Sequence, residues 1–411
     1  MLWIKLGWRN LLRNRRRTFI EVLSIAGSVL LAVFMNNLAV GSYDQMVNDG
    51  VLMGSGHIGV YNSAYLSMRK TELTVNAPPL VGALEREPSV KAVYPRLQVP
   101  ALIRSSRDSR NAVVVGLDFD RELNSNPLLR KDKLVEGSYP SSDDAKEALM
   151  GEILARELGL KVGKKFVIMV QGSDGKIESS LFRISGIIRT NARMIDAGMV
   201  IAPRKVIGSV IGKPDSAHEI AVILYNHRHI EKVLPAIRAI ARTQPEADAF
   251  RWQEAMPELQ NAIKMDRVGF QIMVMFMYLI VGIGTINTLL MSVMERTREF
   301  GVIRSIGLNK KGIRKIVLSE ALVLATVGVT LGMALGIAVT GYTSVKGIDY
   351  SFILKDQGMA STLIDPIIYS AWDWYSMSVI AGGMIIIAFA ASIYPVHYIL
   401  KTGPAEAMRK Y

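Results

Sequence analysis

Four stretches of this chain run long enough on apolar residues to cross a hydrocarbon layer, which narrows the fold more than any other feature of the sequence. They are Thr18–Val40, Val268–Met294, Ile316–Tyr342 and Met377–Leu400. A bilayer core of about 30 Å takes roughly 20 helical residues, so each stretch reads as a membrane-spanning helix. Half of the 411 residues are hydrophobic, more than an ordinary soluble domain carries, in keeping with that reading. The run from Phe19 exceeds the roughly 7–15 residues of a signal-peptide core, and no small-x-small cleavage site closes it, so the first span reads as a permanent anchor.

Charge sets the expected orientation. The segments Met1–Arg17, Glu295–Lys315 and His397–Tyr411 together hold 16 Lys or Arg against 3 Asp or Glu, a balance of +13 that equals the net charge of the whole chain. All of the excess positive charge therefore borders membrane ends that alternating topology places on one side. By the positive-inside rule that side is the cytoplasm, with both termini in it and Gly41–Arg267 outside. The same distribution argues against nucleic acid as the partner of a chain with a pI near 9.7, since the cations flank spans rather than form a separate patch. No cysteine occurs, which excludes disulfides, thiolate metal sites, a cysteine nucleophile and a lipidated cysteine.

Residues 1–17 carry Trp3, Ile4, Leu6, Trp8, Leu11 and Leu12 near helical spacing among basic residues, the pattern of an amphipathic helix lying in the interface. The region 41–267 shows short β-branched or alternating runs: His57–Tyr61, Val90–Tyr94, Val99–Arg104, Ala112–Gly116, Lys165–Val170, Phe182–Ile188, Met199–Ala202 and Glu219–Leu224. Helical patterns occupy Leu80–Glu87 and Ile230–Thr243. The fold class expected is therefore membrane α-helical, with four transmembrane helices, plus a large α+β extracytoplasmic domain inserted between helices 1 and 2. Within that domain a helix-and-sheet lobe (41–117 and 209–267) is expected to hold an inserted β-rich lobe (118–208). The remaining segments read as a cytoplasmic helix in 295–315, a short outer loop at 343–376 with Trp372, Trp374 and Tyr375 as interface anchors, and a cytoplasmic tail at 401–411.

Chemistry is sparse. No G-x-x-x-x-G-K-[ST] occurs, and Gly159–Lys165 has the wrong spacing and lacks the hydroxyl that would hold magnesium. Neither G-x-S-x-G nor H-E-x-x-H is present, and His227 and His229 lack a third ligand at metal spacing. Asp118, Asp120, Asp143 and Asp144 read as solvated turn carboxylates. No catalytic residue, metal site or bound cofactor is expected. Inside the spans, Glu21 lies within reach of the arginine cluster, while Asn36, Asn37 and Asn287 are either the polar lining of a candidate cargo cavity or interhelical hydrogen-bonding groups. Gly328, Gly332 and Gly336 form a small-xxx-small ladder that lets a neighbouring helix approach closely.

Met291–Gly307 reads MSVMERTREFGVIRSIG, preceded by Asn287 and followed by Glu320 in the next helix. As a short helix it would place Glu295 at pairing distance from Arg298 or Glu299 and line up Val302, Ile303 and Ile306, with Gly307 ending it. This string resembles the signature of the FtsX-like, MacB-type family of four-span ABC permeases. YPVHYILKTGPAEAM from Tyr394, GEILARELGLKVGKK from Gly151, and ISGIIRT with Asp196 are similar to further patterns of the family. The chain is similar in particular to the lipoprotein-releasing permeases within it. The resemblance implies a permease in the bacterial inner membrane, driven by a separate ATPase subunit that binds ATP and Mg. It implies docking of that ATPase on Glu295, Arg296, Arg298, Glu299, Val302, Ile303, Arg304, Ile306 and Gly307. It implies assembly with a second copy or a related permease, contact with membrane lipid, and transfer of lipoprotein to a periplasmic carrier. The alternatives it leaves open are efflux through an adaptor and signalling to a peptidoglycan hydrolase.

Overall fold

In the computed structural model, which describes residues 9, 15–190, 192–226, 229–350 and 367–401, the first three apolar stretches each lie inside one longer helix, and the fourth is helical on both sides of a break. Helix α1 covers Arg15–Met53; α2 (Ala77–Leu84) and α3 (Ile230–Ala241) follow in the soluble region, and α4 covers Pro257–Glu295. A short α5 (Thr297–Ser305) leads to α6 (Lys310–Lys346), and α7 (Trp374–Ala391) is followed by α8 (Ile393–Lys401). The fourth expected span, Met377–Leu400, is thus two helices. Pro395 has no N–H to offer the carbonyl of Ala391, and the helix breaks at Ser392. There the Ser392 hydroxyl donates to the Phe389 carbonyl at 2.6 Å. The interfacial helix expected over 1–17 lies outside the described residues apart from Arg9 and Arg15–Arg17, as do 351–366 of the outer loop and the tail beyond Lys401.

The chain divides into two units, residues 1–43, 263–348 and 368–411 forming one and 44–262 with 349–367 the other. In the first, Ile25, Val29 and Val33 of α1 pack with Val281 of α4, Leu324 and Val329 of α6, and Met377 and Met384 of α7. The small residues of α6 make this packing close. A Cβ on Gly328 would stand 2.8 Å from Ile25, one on Gly332 would stand 2.6 Å from the Ala26 carbonyl oxygen, and one on Gly336 would stand 3.0 Å from Val33. The ladder 328–332–336 is therefore the face that α1 lies against.

The second unit holds two lobes that share one strand. Strands β1 (Ile58–Asn62), β2 (Val75–Asn76) and β3 (Val90–Arg104) come first, then β4 (Ser109–Leu117), β5 (Leu134–Gly137), β6 (Glu147–Gly151), β7 (Lys165–Gln171), β8 (Ile177–Ile188), β9 (Met199–Pro203), β10 (Ser216–Ala217), β11 (Glu219–Leu224) and β12 (Ala247–Arg251). The antiparallel order β12-β1-β11-β3, with α2 following β1 and α3 preceding β12, is a split β-α-β fold. Its core joins Leu80 and Leu84 of α2 and Val233 and Ile237 of α3 to Ile58, Val60, Ile220 and Val222 on the sheet.

Beyond Arg96, β3 leaves β11 and pairs with β4 from Leu97 and with β7 from Ala101. The path β3-β4-β9-β6-β8-β7 then returns to β3, closing six strands into a ring with no free edge. Leu97, Val99, Ile103, Val114, Met150, Phe166, Ile168, Phe182 and Ile184 fill it. The lobe boundary accordingly falls inside β3, and β4 belongs to the β-rich lobe rather than to residues 41–117. Pro95 and Pro100 make β3 read as two strands in sequence. Each sits where β3 has a single neighbour, since at Pro95 only β11 lies alongside and β7 begins at Ala101; a missing N–H on an open flank costs no ladder bond.

Candidate functional site

The sequence points first to the basic ends of the long helices, and the structure changes how those residues pair. α4 runs unbroken to Glu295 and then turns at Arg296 (φ −104°, ψ 11°) before α5 begins. That turn takes Glu295 off the short helix, so it pairs with neither Arg298 nor Glu299. Glu295 instead accepts from Arg17 of α1 at 3.3 Å. Arg296 takes the central role, bridging Glu299 at 3.2 Å and the buried Glu320 of α6 at 3.2 Å, with its guanidinium 5.1 Å from the Phe300 ring. Glu320 also accepts from Ser292 at 3.2 Å. Glu21, expected to meet the arginine cluster, is buried and accepts from Thr285 at 3.2 Å and Thr288 at 2.8 Å, while Arg17 donates to the Thr288 carbonyl. Once α1 and α4 pack, the nearest hydroxyls lie closer to Glu21 than the flexible cations do.

This ionic root anchors one side of α5 and leaves the other bare. Phe300 and Gly301 are buried, Phe300 among Val293, Ile313, Val317 and Val396. Val302 is 44% exposed, Ile303 37% and Ile306 82%. Arg298 is exposed and Arg304 half-buried. The helix stops in a Schellman arrangement, in which Leu308 N–H reaches the Ile303 carbonyl at 3.1 Å and Gly307 N–H the Arg304 carbonyl at 3.1 Å. Gly307 has φ +110°, a conformation that favours glycine. Asn309 then caps α6, accepting from Gly312 N–H at 2.8 Å. The outcome is a rigidly rooted short helix with a continuous apolar stripe turned outward.

Of the three asparagines, two come together. Asn37 is fully buried and donates to Thr340 of α6 at 3.2 Å and toward the Met377 sulfur of α7 at 3.3 Å, while Asn36 donates to Asn37 at 3.4 Å. Asn37 is thus an interhelical tie, and Asn36 lines a cavity of about 670 Å³ among α1, α4 and α7. Asn287 stands apart, exposed on α4. Trp372 and Trp374 are exposed and stacked, with ring centroids 5.2 Å apart.

A second polar cluster, unsignalled in the sequence, sits where β3 changes partners. Arg96 is fully buried and donates to Glu122 at 2.6–3.1 Å, to the Leu52 carbonyl at 2.5 Å and to the Gly54 carbonyl at 2.6 Å. It thereby satisfies carbonyls at the end of α1 that have no helical partner. Glu219 lies 3.8 Å from Arg96 and accepts from the buried Tyr61 hydroxyl at 2.8 Å. Burial pushes the Glu219 carboxyl up, against the pull of Arg96, and burial beside Glu219 pushes the Tyr65 phenol up to about 12. His218 stacks on Tyr65 at 4.9 Å, accepts from Gln98 N–H on Nδ1 at 3.1 Å and, through Nε2–H, donates to the Thr71 carbonyl at 3.0 Å. Burial, helped by Lys213, lowers its pKa to about 4 against the Thr71 hydrogen bond.

The acidic pairs expected to be solvated divide. Asp118 is buried and bound to Arg204 at 2.9 Å, and Asp143 accepts from Phe119 N–H at 3.1 Å, whereas Asp120 and Asp144 face solvent or its margin. A turn-rich sequence does not reveal a partner as distant as Arg204. In the string from Gly151 the constraint is visible: a Cβ there would stand 2.4 Å from the Asp196 carbonyl, and the Asp196 carboxylate accepts from the Thr190 N–H and hydroxyl, each at 2.8 Å. Among the described residues no three His, Asp or Glu side chains gather as a metal-ligand set, and His227 lies outside those residues.

Four apolar helices, a rooted outward-facing helix between two of them and a separate α+β unit define a multi-span membrane protein with a large soluble domain. A family model described as MacB-like periplasmic core domain matches residues 18–240, and one described as FtsX-like permease C-terminal matches 272–404. The chain belongs to this FtsX-like, MacB-type family of ABC transporter permeases. It is 22% identical to the lipoprotein-releasing system transmembrane protein LolC of Xylella fastidiosa, with 99% of this chain and 98% of that one aligned. It is 26% identical to the pyoverdine export ATP-binding/permease protein PvdT of Pseudomonas putida over 85% of its own length, and spans about half (54%) of that relative. Among solved structures, the periplasmic region of MacB from Actinobacillus actinomycetemcomitans matches 53% of this chain and 98% of that one at 12% identity and TM-score 0.37.

Proposed function

We propose that the chain is the permease subunit of a mechanotransmission-type ABC transporter that extracts lipoproteins from the inner membrane for transfer to a periplasmic carrier. The observation that carries this reading is α5, whose Val302, Ile303 and Ile306 stand exposed while Arg296 and Phe300 fix the helix to the ends of α4 and α6. Such a stripe suits a groove on a nucleotide-hydrolysing partner, which would supply ATP and Mg. ATP binding there would shift α5 only if its contacts differ between the two partner states. Displacement of α5 would reach α4 and α6 first, because the salt bridges of Arg296 and the packing of Phe300 tie them together. The basic helix ends favour the cytoplasm for α5 and both termini. The choice of lipoprotein release rests on the near-complete mutual coverage with LolC. Efflux is the competing reading, favoured by the PvdT and MacB relatives.

Coexpression with the cognate ATPase tests the assignment. Val302→Asp and Ile306→Asp alter exposed side chains outside the apolar cluster around Phe300, and each is expected to weaken recovery of the ATPase with the permease at least about tenfold, a change of ~1.4 kcal/mol. Unchanged recovery by both variants would sink the docking assignment. Release of an acylated protein from proteoliposomes to a soluble carrier then separates lipoprotein release from efflux.

A further inference from the structure

The cavity among α1, α4 and α7 has the dimensions and polarity of a lipid site. Its volume, about 670 Å³, falls within the range of sites that enclose small ligands. Its floor is apolar, with Val274 and Ile380 buried and Phe270 and Tyr278 half-buried beside them. Tyr278 of the lining reaches across to α7, its hydroxyl lying against Gly383, at which a Cβ would stand 2.3 Å away. Its polar lining is Arg267, Gln271, Asp373 and Ser376 with the buried Asn36. From Arg267 to Tyr278 the helix rises about 16 Å at ~1.5 Å per residue. That matches one leaflet of a hydrocarbon core of about 30 Å.

Charged side chains at one end of the cavity select the headgroup. Arg267 is exposed and forms no ion pair among the described residues, so its guanidinium is open to a phosphodiester. Asp373 lines the same cavity, its carboxylate accepting from the Ser376 N–H at 3.0 Å and hydroxyl at 2.6 Å. Asp266, next to Arg267 in the chain, also acts electrostatically on Tyr43 of the lining. One cation therefore stands with two carboxylates at this end, which disfavours a headgroup of net negative charge and suits a zwitterionic one whose ammonium can meet the carboxylates while its phosphate meets Arg267.

We propose that this groove is a binding site for a zwitterionic glycerophospholipid of the surrounding membrane, one acyl chain lying along Phe270, Val274 and Ile380 and the phosphate meeting Arg267. The site does not depend on which cargo the permease moves, since a resident lipid would occupy it in either reading of function.

Native mass spectrometry of the full chain tests this, after incorporation into vesicles of equimolar phosphatidylethanolamine and phosphatidylglycerol and extraction in mild detergent. The expected result is one retained phosphatidylethanolamine per chain. Retention should fall at least about tenfold in Ile380→Trp, which fills the floor, and in Arg267→Glu, which repels phosphate from an exposed position without disturbing the core. Leu335→Trp, on the exposed side of α6 and outside the lining, is expected to retain lipid as the unaltered chain does. No retained phospholipid, a preference for phosphatidylglycerol, or retention by both groove variants equal to that of the unaltered chain would overturn the site, as would an acylated protein in place of phospholipid.

Discussion

At the scale of single residues, Arg96 carries the largest consequence. Among the described residues it heads the largest fully buried side chains, and Glu122 and Glu219 are also desolvated around it. Removing one member of such a group leaves an uncompensated buried charge, so Arg96→Met is expected to cost about 3–5 kcal/mol, read as a shift in the chemical denaturation midpoint of the soluble unit's signal. A leucine-for-methionine exchange elsewhere would not approach that. His218 gives a pH signature. Its folded pKa of about 4 lies below the ordinary 6.5. The native state therefore binds fewer protons than the unfolded chain between those values. Stability should be full above about pH 6.5 and decline as pH falls toward 4, by up to about 3 kcal/mol. His218→Gln should flatten that slope in thermal melts across the window, and an unaltered slope would remove His218 as its source. None of this was legible in the sequence, where Arg96 falls between two apparent strands and His218 is one residue beside a third; a buried network joins positions too far apart for any local pattern to reveal.

The elements were more legible, because periodicity and apolar length are local properties. All four long helices were signalled, as were α2, α3 and most strands, with Glu219–Leu224 at its observed limits. Strand β6 was hidden because Glu147–Gly151 runs directly into the helical pattern of Glu152–Glu157. The break at Ser392 lay within an apolar run that continues through it, and only Pro395 could have flagged it. Prediction at this scale concerns the glycine ladder. Gly332→Val would drive a side chain against the Ala26 carbonyl and Val29, and overpacking of this kind costs about 1–3 kcal/mol, expected as earlier thermal unfolding in detergent. Gly382→Ala meets nothing within 4 Å and should stay within about 0.5 kcal/mol of the unaltered chain. Equal effects at the two positions would separate the ladder from helix contact.

For the whole molecule, the sequence's strongest statement is directional, and the chain offers a clean way to check it. It contains no cysteine, so single introduced thiols report alone. Ile306→Cys and Tyr225→Cys, at positions 82% and 72% exposed, are expected to react with a membrane-impermeant maleimide from opposite faces of the membrane. Labelling of both from one face would overturn the assigned topology, and Ile306→Cys reacting from the outside would reverse it. What the sequence could not convey is how the soluble unit is joined within itself. A lobe inserted between two halves of another is easily imagined as hanging on two flexible tethers. Here β3 is woven into both sheets, its first half laddered to β11 and its second to β4 and β7. The two lobes therefore own a length of backbone in common, and neither can swivel as a free body; any relative motion has to be taken up as flexure of that one ribbon near Arg96.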